Sequence, residues 1–193
     1  MTVVDLLSMH KQFLASHIAP GGTVADFTMG NGHDTLWLAE QVGATGHVYA
    51  FDIQERALEQ TKARLRSAGV EERCTLILDS HANAGQYIHE PLCASVFNLG
   101  WLPGSDRSLT TRHESTLLAV DTAIRLCSPD GIVLIAVYPG HSEGELEGKL
   151  LSEKLSSLDR RSFSVSLFRI INSPTSPFFF AVEASGKPRI PVS

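Results

Sequence analysis

The stretch that decides the fold runs from residue 23 to residue 35 and reads TVADFTMGNGHDT. Its first part, Thr23 to Phe27, is typical of a buried β-strand, and the turn that follows contains Gly30 and Gly32. A helical pattern begins at about Asp34. In an open α/β sheet, ligands bind at the carboxyl ends of the strands, and the first such turn is the usual seat of a nucleotide-like cofactor. We therefore expect this turn to line a ligand site.

The residue types in this turn do not favour a phosphate-bearing ligand. The third glycine of the dinucleotide pattern G-x-G-x-x-G would fall on Thr35, and the chain contains no G-x-x-x-x-G-K-[ST] phosphate loop. Asp26 within the strand and Asp34 at the helix start would repel a pyrophosphate and attract a positively charged ligand. The alternative is structural, with Asp34 as a helix cap and Gly30 and Gly32 in an ordinary tight turn.

The rest of the chain alternates short apolar runs with helical patterns, which predicts a parallel α/β sheet. Besides the run at 23–27, we expect strands at residues 47–51, 75–78, 94–98 and 131–138. We expect an N-terminal helix over residues 1–19 and further helices at 34–41, 55–68, 81–89, 113–126 and 143–158. Two last strands, 162–170 and 177–184, are joined by only six residues, which is too short for a parallel crossover. The sequence predicts a single domain over residues 1–193, with a core at 23–184 that is doubly wound, mostly parallel and closed by an antiparallel hairpin.

The composition is that of a globular chain. Of 193 residues, 43% are hydrophobic and 19% are charged, which excludes a disordered or collagen-like protein. The net charge of −5 argues against a protein that coats nucleic acid over a broad surface, although residues 160–193 contain one acid, Glu183, among several basic residues. The three cysteines lack a C-x-x-C spacing, and histidines such as His10, His17 and His89 share no ligand spacing, so we expect no metal site. No membrane span or signal peptide is recognisable, so we expect a cytoplasmic protein.

Polar residues also follow the second and third predicted strands. Asp52 lies about 20 residues after Gly32, where a carboxylate accepts hydrogen bonds from the ribose hydroxyls in nucleoside-binding α/β folds, and Gln54 lies beside it. Ser80 and His81 follow the third strand, where they could contact an adenine. Each residue taken singly could instead be a helix cap. Together they indicate a nucleoside site.

Four segments in this order resemble the YtqB-like group of class I S-adenosylmethionine-dependent methyltransferases. They are residues 25–35, residues 47–54, the run FNLGWLPG at 97–104 and the run VYPGH at 137–141. The resemblance extends over about residues 20–184. It implies a Rossmann-like class I methyltransferase fold with a seven-stranded sheet, and S-adenosyl-L-methionine as the cofactor. Thr28 stands where many class I enzymes have a glycine, although it suits this group, and Trp101 stands where the group has tyrosine, which keeps a flat ring in place.

The resemblance also assigns roles to the strand ends. Asn31 and Asp34 would lie near the methionine end of the cofactor, with Asp52 at the ribose. The complete set of residues expected to bind the cofactor is Asp26, Thr28, Gly30, Asn31, Gly32, Asp34, Asp52, Gln54, Ser80 and His81.

The acceptor must approach in line with the methyl group, which places it at the end of the fourth strand. The side-chain carbonyl of Asn98 can accept a hydrogen bond from an amine, and Trp101 can stack on a base, unless Trp101 is simply a core residue. An alkylammonium must lose a proton before it can attack. Asp106 and His141 are the candidate bases, and each has a plainer interpretation as a loop residue.

We therefore expect a methyltransferase that N-methylates the 5-aminomethyl group of (2-thio)uridine at the wobble position of tRNA, as the MnmM-type members of the group do. Its partner would be the tRNA anticodon loop, whose phosphates could contact Arg107, Arg112, Arg160, Arg161 and Arg169. A homodimer is implied by the resemblance alone. The open alternatives are an rRNA or small-molecule methyltransferase and a non-catalytic module that only binds the cofactor. The missing third glycine and the terminal hairpin disfavour a nicotinamide-dependent oxidoreductase.

Overall fold

The structure is a computed structural model, and it describes residues 6–100, 111–140, 142–173 and 175–186, apart from the side chain of Leu7. The strands are β1 (Thr23–Asp26), β2 (His47–Asp52), β3 (Cys74–Leu78), β4 (Leu92–Leu99), β5 (Cys127–Val137), β6 (Phe163–Phe168) and β7 (Phe178–Ala184). The α-helices are α1 (Leu6–Ala15), α2 (His33–Val42), α3 (Glu55–Ser67), α4 (His113–Leu126) and α5 (Ser142–Ser156). Two short 3-10 helices cover Glu71–Arg73 and His81–Gln86.

The strands form one seven-stranded sheet in the order β3-β2-β1-β4-β5-β7-β6. Strands β1 to β5 are parallel to one another, and β7 runs antiparallel to both of its neighbours. This confirms the expected mostly parallel sheet with an antiparallel hairpin at its end. The chain leaves β1 towards β2 on one side and later returns to β4 on the other, so the strand order reverses between β1 and β4. Ligands of open α/β sheets bind at such a switch point.

Helices cover both faces of the sheet, as a parallel sheet requires. On one face, Leu14 of α1, Leu38 of α2 and Leu65 of α3 pack into a common apolar cluster. On the other face, Ala123 of α4 and Leu151 of α5 belong to a second cluster. None of the described helices has both the length and the apolar composition needed to cross a bilayer.

Three aromatic rings lie directly beneath the carboxyl ends of the central strands. Phe27 stacks on Phe97 with 4.3 Å between ring centroids and on Phe51 with 5.7 Å, and none of the three is more than 1% exposed. Phe51 immediately precedes Asp52, and Phe97 immediately precedes Asn98. The stacked rings therefore form a buried aromatic layer directly beneath these two polar residues.

Most elements begin or end within a few residues of the expected positions, and three of the differences have a structural consequence. The segment predicted as a helix at 81–89 forms a 3-10 helix over His81–Gln86, because its sequence HANAGQ contains Asn83 and Gly85 and offers no apolar stripe of helical period. The N-terminal helix, expected to extend to residue 19, ends at Ala15. Strand β5 begins at Cys127, directly after α4, and its pairing with β4 shifts register between Leu92 and Ala94.

Truncation of Phe97 tests the packing of this aromatic stack. We expect Phe97→Ala to lower the free energy of unfolding by about 3–5 kcal/mol, because the change leaves a cavity in the stack. The matched control is Ile171→Ala, at a side chain that is 95% exposed, which should change stability by no more than about 0.5 kcal/mol. Urea unfolding followed by circular dichroism measures both, and equal effects of the two substitutions would contradict the described packing.

Candidate functional site

A cleft of about 800 Å³ opens at the carboxyl ends of the central strands. Most residues predicted to form the site line it: Thr28, Gly30, Asn31, Asp34, Asp52, Gln54, Ser80, His81 and Asn98. Asp26 and Gly32, the other two residues predicted to bind the cofactor, do not line the cleft but lie behind it and hold the conformation of the turn. Residues that are far apart in the sequence meet here because the carboxyl ends of parallel strands share one edge of the sheet.

Asp26, the last residue of β1, is fully buried and joins the strand to the turn and to α2. Its Oδ1 accepts a hydrogen bond from the Thr28 amide at 3.1 Å, and its Oδ2 accepts one from the Thr35 hydroxyl at 2.7 Å. Burial, and after it the nearby charge of Asp34, raise the pKa of Asp26 to about 7. Thr35, which replaces the third glycine of a dinucleotide loop, is therefore a partner of this carboxyl group.

The two glycines of the turn have backbone conformations that other residues rarely adopt. Gly30 has φ 51° and Gly32 has φ 75°, both in the left-handed region. A Cβ atom on Gly32 would lie 2.6 Å from the Thr61 hydroxyl and 2.9 Å from the Thr61 Cα, so α3 approaches too closely for any side chain. The turn is held from behind as well, since the Thr61 hydroxyl donates to the Gly30 carbonyl at 3.1 Å.

Asp52 is fixed at the end of β2 by two backbone amides. Its Oδ2 accepts from the Gly30 amide and its Oδ1 accepts from the Gln54 amide, each at 3.0 Å. Burial raises the pKa of Asp52, and the hydrogen bonds from these amides act against that shift. Each carboxylate oxygen has a second lone pair, so the group can still accept hydrogen bonds from a ligand's paired hydroxyls. Gln54 is the N-cap residue of α3, but its side chain makes no capping hydrogen bond and the residue forms part of the cleft wall.

Ser80 and His81 have different relations to the cleft. The Ser80 hydroxyl accepts from the Ala82 amide at 3.3 Å, so it caps the 3-10 helix as well as lining the cleft. His81 is 8% exposed, and its Nδ1 lies 3.0 Å from the Phe27 carbonyl oxygen. Because a carbonyl only accepts, Nδ1 carries the hydrogen, and burial lowers the pKa of the ring. In the neutral ring Nε2 is then a hydrogen-bond acceptor, which suits the amino group of an adenine.

Asn98 is held in one orientation at the end of β4. Its backbone amide donates to the Thr28 hydroxyl at 2.7 Å, and its side-chain Nδ2 donates to Oδ2 of Asp34 at 2.8 Å. The first hydrogen bond gives Thr28 a role that glycine could not have at this position, because its hydroxyl accepts from the Asn98 amide. Asp34 lies within the first turn of α2, and the cap position is occupied by Gly32, so Asp34 is not the helix cap. Since the amide nitrogen faces Asp34, the side-chain carbonyl of Asn98 is left to accept a hydrogen bond from a ligand.

Helix α1 adds two residues to the cleft that the sequence did not single out. The Lys11 Nζ lies 3.1 Å from Oδ1 of Asp34, and the His10 Nε2 lies 3.9 Å from its Oδ2. Both residues line the cleft, and His10 is only 2% exposed. The sequence pattern favours a purely structural role for His10. The available signal is that His10 and Lys11 are the two ionisable residues of α1, and this pattern does not reveal which residues they contact.

Three predicted catalytic residues, Trp101, Asp106 and His141, lie outside the described residues, as does Arg107. The two flanks of residues 101–110 meet at the cleft, since the Thr111 amide donates to the Gly100 carbonyl at 3.0 Å.

The arginines expected to bind phosphate separate into two groups. Arg112 precedes α4 and lines the cleft. Arg160 and Arg161 precede β6, whose first residue pairs with Ala184 at the edge of the sheet away from the cleft, so they are not part of this site. Arg169 follows β6 towards the cleft edge, with its guanidinium carbon 5.0 Å from the ring centroid of Phe178.

Within the described ranges, one group of side chains brings potential metal ligands together: His113, Glu114 and Glu143. The His113 Nδ1 lies 2.8 Å from a Glu143 oxygen that also accepts from the His113 backbone amide, and the His113 Nε2 lies 3.4 Å from Glu114. These contacts form an ion-pair network that caps α4, and the hydrogen bond to Glu143 raises the pKa of His113. The network therefore has a structural explanation that needs no ion.

The sheet order, the reversed last strand and the cleft over the strand ends define a class I methyltransferase fold. The solved structures that share it include a methyltransferase from Streptococcus mutans in complex with SAH, with a TM-score of 0.86, 31% identity, and coverage of 95% of this chain and 99% of that chain. A family model described as "Putative rRNA methylase" matches residues 48–183. The chain belongs to this family.

Two further relatives support that assignment. A crystal structure described as an rRNA-methylase from Clostridium thermocellum has a TM-score of 0.92 and 36% identity, and covers 95% of this chain and 100% of that chain. The tRNA (mnm(5)s(2)U34)-methyltransferase named as chloroplastic from Arabidopsis thaliana is 35% identical over 170 residues, which are 83% of this chain. The match spans 62% of that curated relative's length.

The buried carboxyl group of Asp26 makes stability depend on pH. Because its pKa is about 7 in the folded chain against an ordinary 3.8, the folded state holds a proton that the unfolded state releases between these values. The stabilising contribution of the protonated group is therefore complete at acid pH and is lost as the pH rises through about 7. Asn at position 26 can accept from the Thr28 amide and donate to the Thr35 hydroxyl without titrating.

In the absence of ligand, we expect the difference in melting temperature between Asp26→Asn and the unmodified chain to shift in favour of the variant as the pH is raised from about 5 to about 8. Differential scanning fluorimetry across this range measures the gain. Asp121→Asn, at a side chain that is 57% exposed, is the control and should show no comparable trend. A constant difference between Asp26→Asn and the unmodified chain at all pH values would contradict the assignment of this titration.

Proposed function

We propose that the chain is an S-adenosylmethionine-dependent RNA methyltransferase that N-methylates the 5-aminomethyl group of (2-thio)uridine at the wobble position of tRNA. The observation that carries the proposal is Asn98, held by Thr28 and Asp34 so that its side-chain carbonyl can accept from an acceptor amine. The Arabidopsis relative, whose name specifies this kind of nucleoside, supports the substrate.

The cleft fits the cofactor group by group. His81 offers an acceptor for the adenine amino group, and Asp52 offers lone pairs for the ribose hydroxyls. The carboxylate of Asp34 places negative charge at the turn, where phosphate-binding loops present only backbone amides, and the buried carboxyl group of Asp26 adds to this charge when it is ionised. When bound, S-adenosylmethionine supplies a methyl group on a positively charged sulfur. The Streptococcus mutans relative, crystallised with SAH, supports this choice of cofactor.

The residues of the chain act on the acceptor by positioning it. The Asn98 carbonyl accepts a hydrogen bond from the amine, which directs the nitrogen lone pair, and Asp34 prevents the Asn98 amide from rotating. The amine must be unprotonated to react, so a proton acceptor is required. Asp106 and His141 are the proposed acceptors, and Trp101 is proposed to stack on the base.

The proposed partner is the tRNA anticodon loop, a short single-stranded RNA that needs only a small basic surface. Arg112 is the described arginine placed at the cleft to contact its phosphates. The proposal also includes a homodimer, which the family resemblance implies, and a cytoplasmic location. Finding the protein in an organelle, as the name of the chloroplastic relative states for that protein, would contradict the cytoplasmic location.

Mass spectrometry of wobble nucleosides tests the substrate. A strain that lacks the protein should accumulate the unmethylated aminomethyl nucleoside in its tRNA, and the intact gene should restore methylation. The family description favours rRNA as the second candidate substrate. Loss of a methylated nucleoside from rRNA, with tRNA unchanged, would favour that candidate and contradict the proposal.

Substitution of the positioning amide separates catalysis from cofactor binding. We expect Asn98→Ala to lower kcat by about 100-fold or more, because the amine loses its orienting acceptor, and to leave affinity for S-adenosylhomocysteine within about threefold. Single-turnover assays with labelled methyl donor and calorimetry measure the two quantities. The control is Asn172→Ala, at an exposed position after β6. Methyl transfer by Asn98→Ala at the rate of the control would refute the role of Asn98, and cofactor binding without any methyl transfer by the unmodified chain would favour a non-catalytic module.

A further inference from the structure

A groove of about 760 Å³ lies outside the cleft, between α2 and α3. Its α3 side is one stripe of the helix, because residues three or four positions apart share a helix face. The stripe consists of Arg56, Gln60, Ala63, Arg64 and Ser67. Among the described residues, those that line the groove include two arginines and no acid, since Glu55 and Glu59 of α3 lie outside the lining. The groove is therefore a local basic surface on a chain whose net charge is −5.

Arg64 is held in one orientation within this groove. Its Nε donates to the Asn31 carbonyl at 2.9 Å, and one of its terminal nitrogens lies 3.2 Å from Nε2 of His33. Because a guanidinium only donates, the His33 Nε2 is the acceptor of this second hydrogen bond. A guanidinium fixed in this way loses little side-chain freedom when its remaining hydrogens bind a phosphate oxygen.

The groove is continuous with the rim of the cleft. Asn31 and His33 line both. His33 is next to Asp34, whose Oδ2 accepts from Nδ2 of Asn98 at 2.8 Å. A polymer that places one unit at Asn98 and leaves the cleft on this side therefore crosses His33 and then meets the two arginines of the groove.

The arginine at the cleft lies on the other side of the sheet from the groove. Arg112 precedes α4, which packs on one face of the sheet, whereas α2 and α3 pack on the opposite face. Basic side chains thus lie on both sides of the cleft. This arrangement suits a nucleic-acid strand, because such a strand carries phosphates on both sides of any nucleotide that enters a pocket.

We propose that the groove between α2 and α3 binds phosphates of the RNA strand next to the nucleotide that enters the cleft, with Arg56 and Arg64 as the contacting cations. The inference rests on the proposed function, because it requires an RNA substrate. Such contacts position the strand without reading its sequence. A plain structural interpretation, in which Arg64 only holds the glycine turn, predicts that the groove has no effect on RNA affinity.

A carboxylate introduced into the groove tests the proposal. The probe is a synthetic anticodon stem-loop with 5-aminomethyl-2-thiouridine at the wobble position, titrated by fluorescence anisotropy with S-adenosylhomocysteine present. Ala63→Glu should weaken binding of this stem-loop by at least about tenfold at low salt, because the new charge repels phosphate. The control, Ala44→Glu, makes the same change in net charge at an exposed position before β2, at the opposite end of the strands from the cleft, and should stay within about twofold.

The salt dependence of binding tests whether the lost contact is to phosphate. Arg56→Gln should weaken the stem-loop by about fivefold and lower the slope of log Kd against log salt by about 1, because one phosphate contact is lost. The control, Arg66→Gln, removes the same charge from the same helix at a residue that pairs with Glu71 outside the groove, and should leave the slope unchanged. Calorimetry should find the affinity for S-adenosylhomocysteine within about twofold in all four variants.

The possible outcomes are distinct. Equal RNA affinity of Ala63→Glu and Ala44→Glu, or an equal loss of RNA and S-adenosylhomocysteine affinity in Ala63→Glu, overturns the inference, and the proposed function stands if the unmodified chain methylates the stem-loop. A change of oligomeric state in Ala63→Glu at unchanged RNA affinity, measured by light scattering, assigns the groove to a contact between copies of the chain and also overturns the inference. An unmodified chain that binds no stem-loop overturns the proposed function, and the inference with it.

Discussion

The buried carboxyl group of Asp26 is the contact on which the cleft depends. It is hydrogen-bonded to the Thr28 amide and to the Thr35 hydroxyl, and so it joins the end of β1, the glycine turn and α2. With the turn in this shape, the Gly30 amide points to Asp52 and the first turn of α2 presents Asp34 to the cleft. The ligand-facing groups of two neighbouring strands are thus set by a side chain that does not itself line the cleft.

The same arrangement is electrostatically costly when the cleft holds no cation. Burial raises the pKa of both Asp26 and Asp52, which means that each loses more hydration than its hydrogen bonds return. A positively charged ligand would offset part of this cost, whereas a pyrophosphate would increase it. The acids at the turn therefore favour a sulfonium nucleoside over a dinucleotide, although both classes of ligand use the same edge of this kind of sheet.

Much of the fold was predictable because it depends on local periodicity. The helix at residues 113–126 was expected with the bounds that α4 has, and the short hairpin connection required antiparallel strands. The strand-end residues were predictable as a group for a topological reason, since parallel strands end at one edge. The helix expected at residues 81–89 was wrong in type, because Asn83 and Gly85 disfavour an α-helix and the segment forms a 3-10 helix over His81–Gln86.

The remaining features of the site depend on packing that no local pattern encodes. Lys11 and His10 reach the cleft because α1 packs over β5 and β7, far from it in the sequence. The orientation of the Asn98 amide depends on Asp34, which is 64 positions away. Arg160 and Arg161 show the same dependence, because the direction of the terminal hairpin places them at the edge of the sheet opposite the cleft.

Competition binding between two nucleoside classes is the most direct measurement of the central claim, which is that this cleft accepts a phosphate-free nucleoside and not a dinucleotide. S-adenosylhomocysteine, the product of the methyl donor, should bind one molecule per chain, and NAD should not displace it even at about a hundredfold excess. Displacement by NAD at comparable concentration, or saturable binding of NAD with none of S-adenosylhomocysteine, would contradict the account.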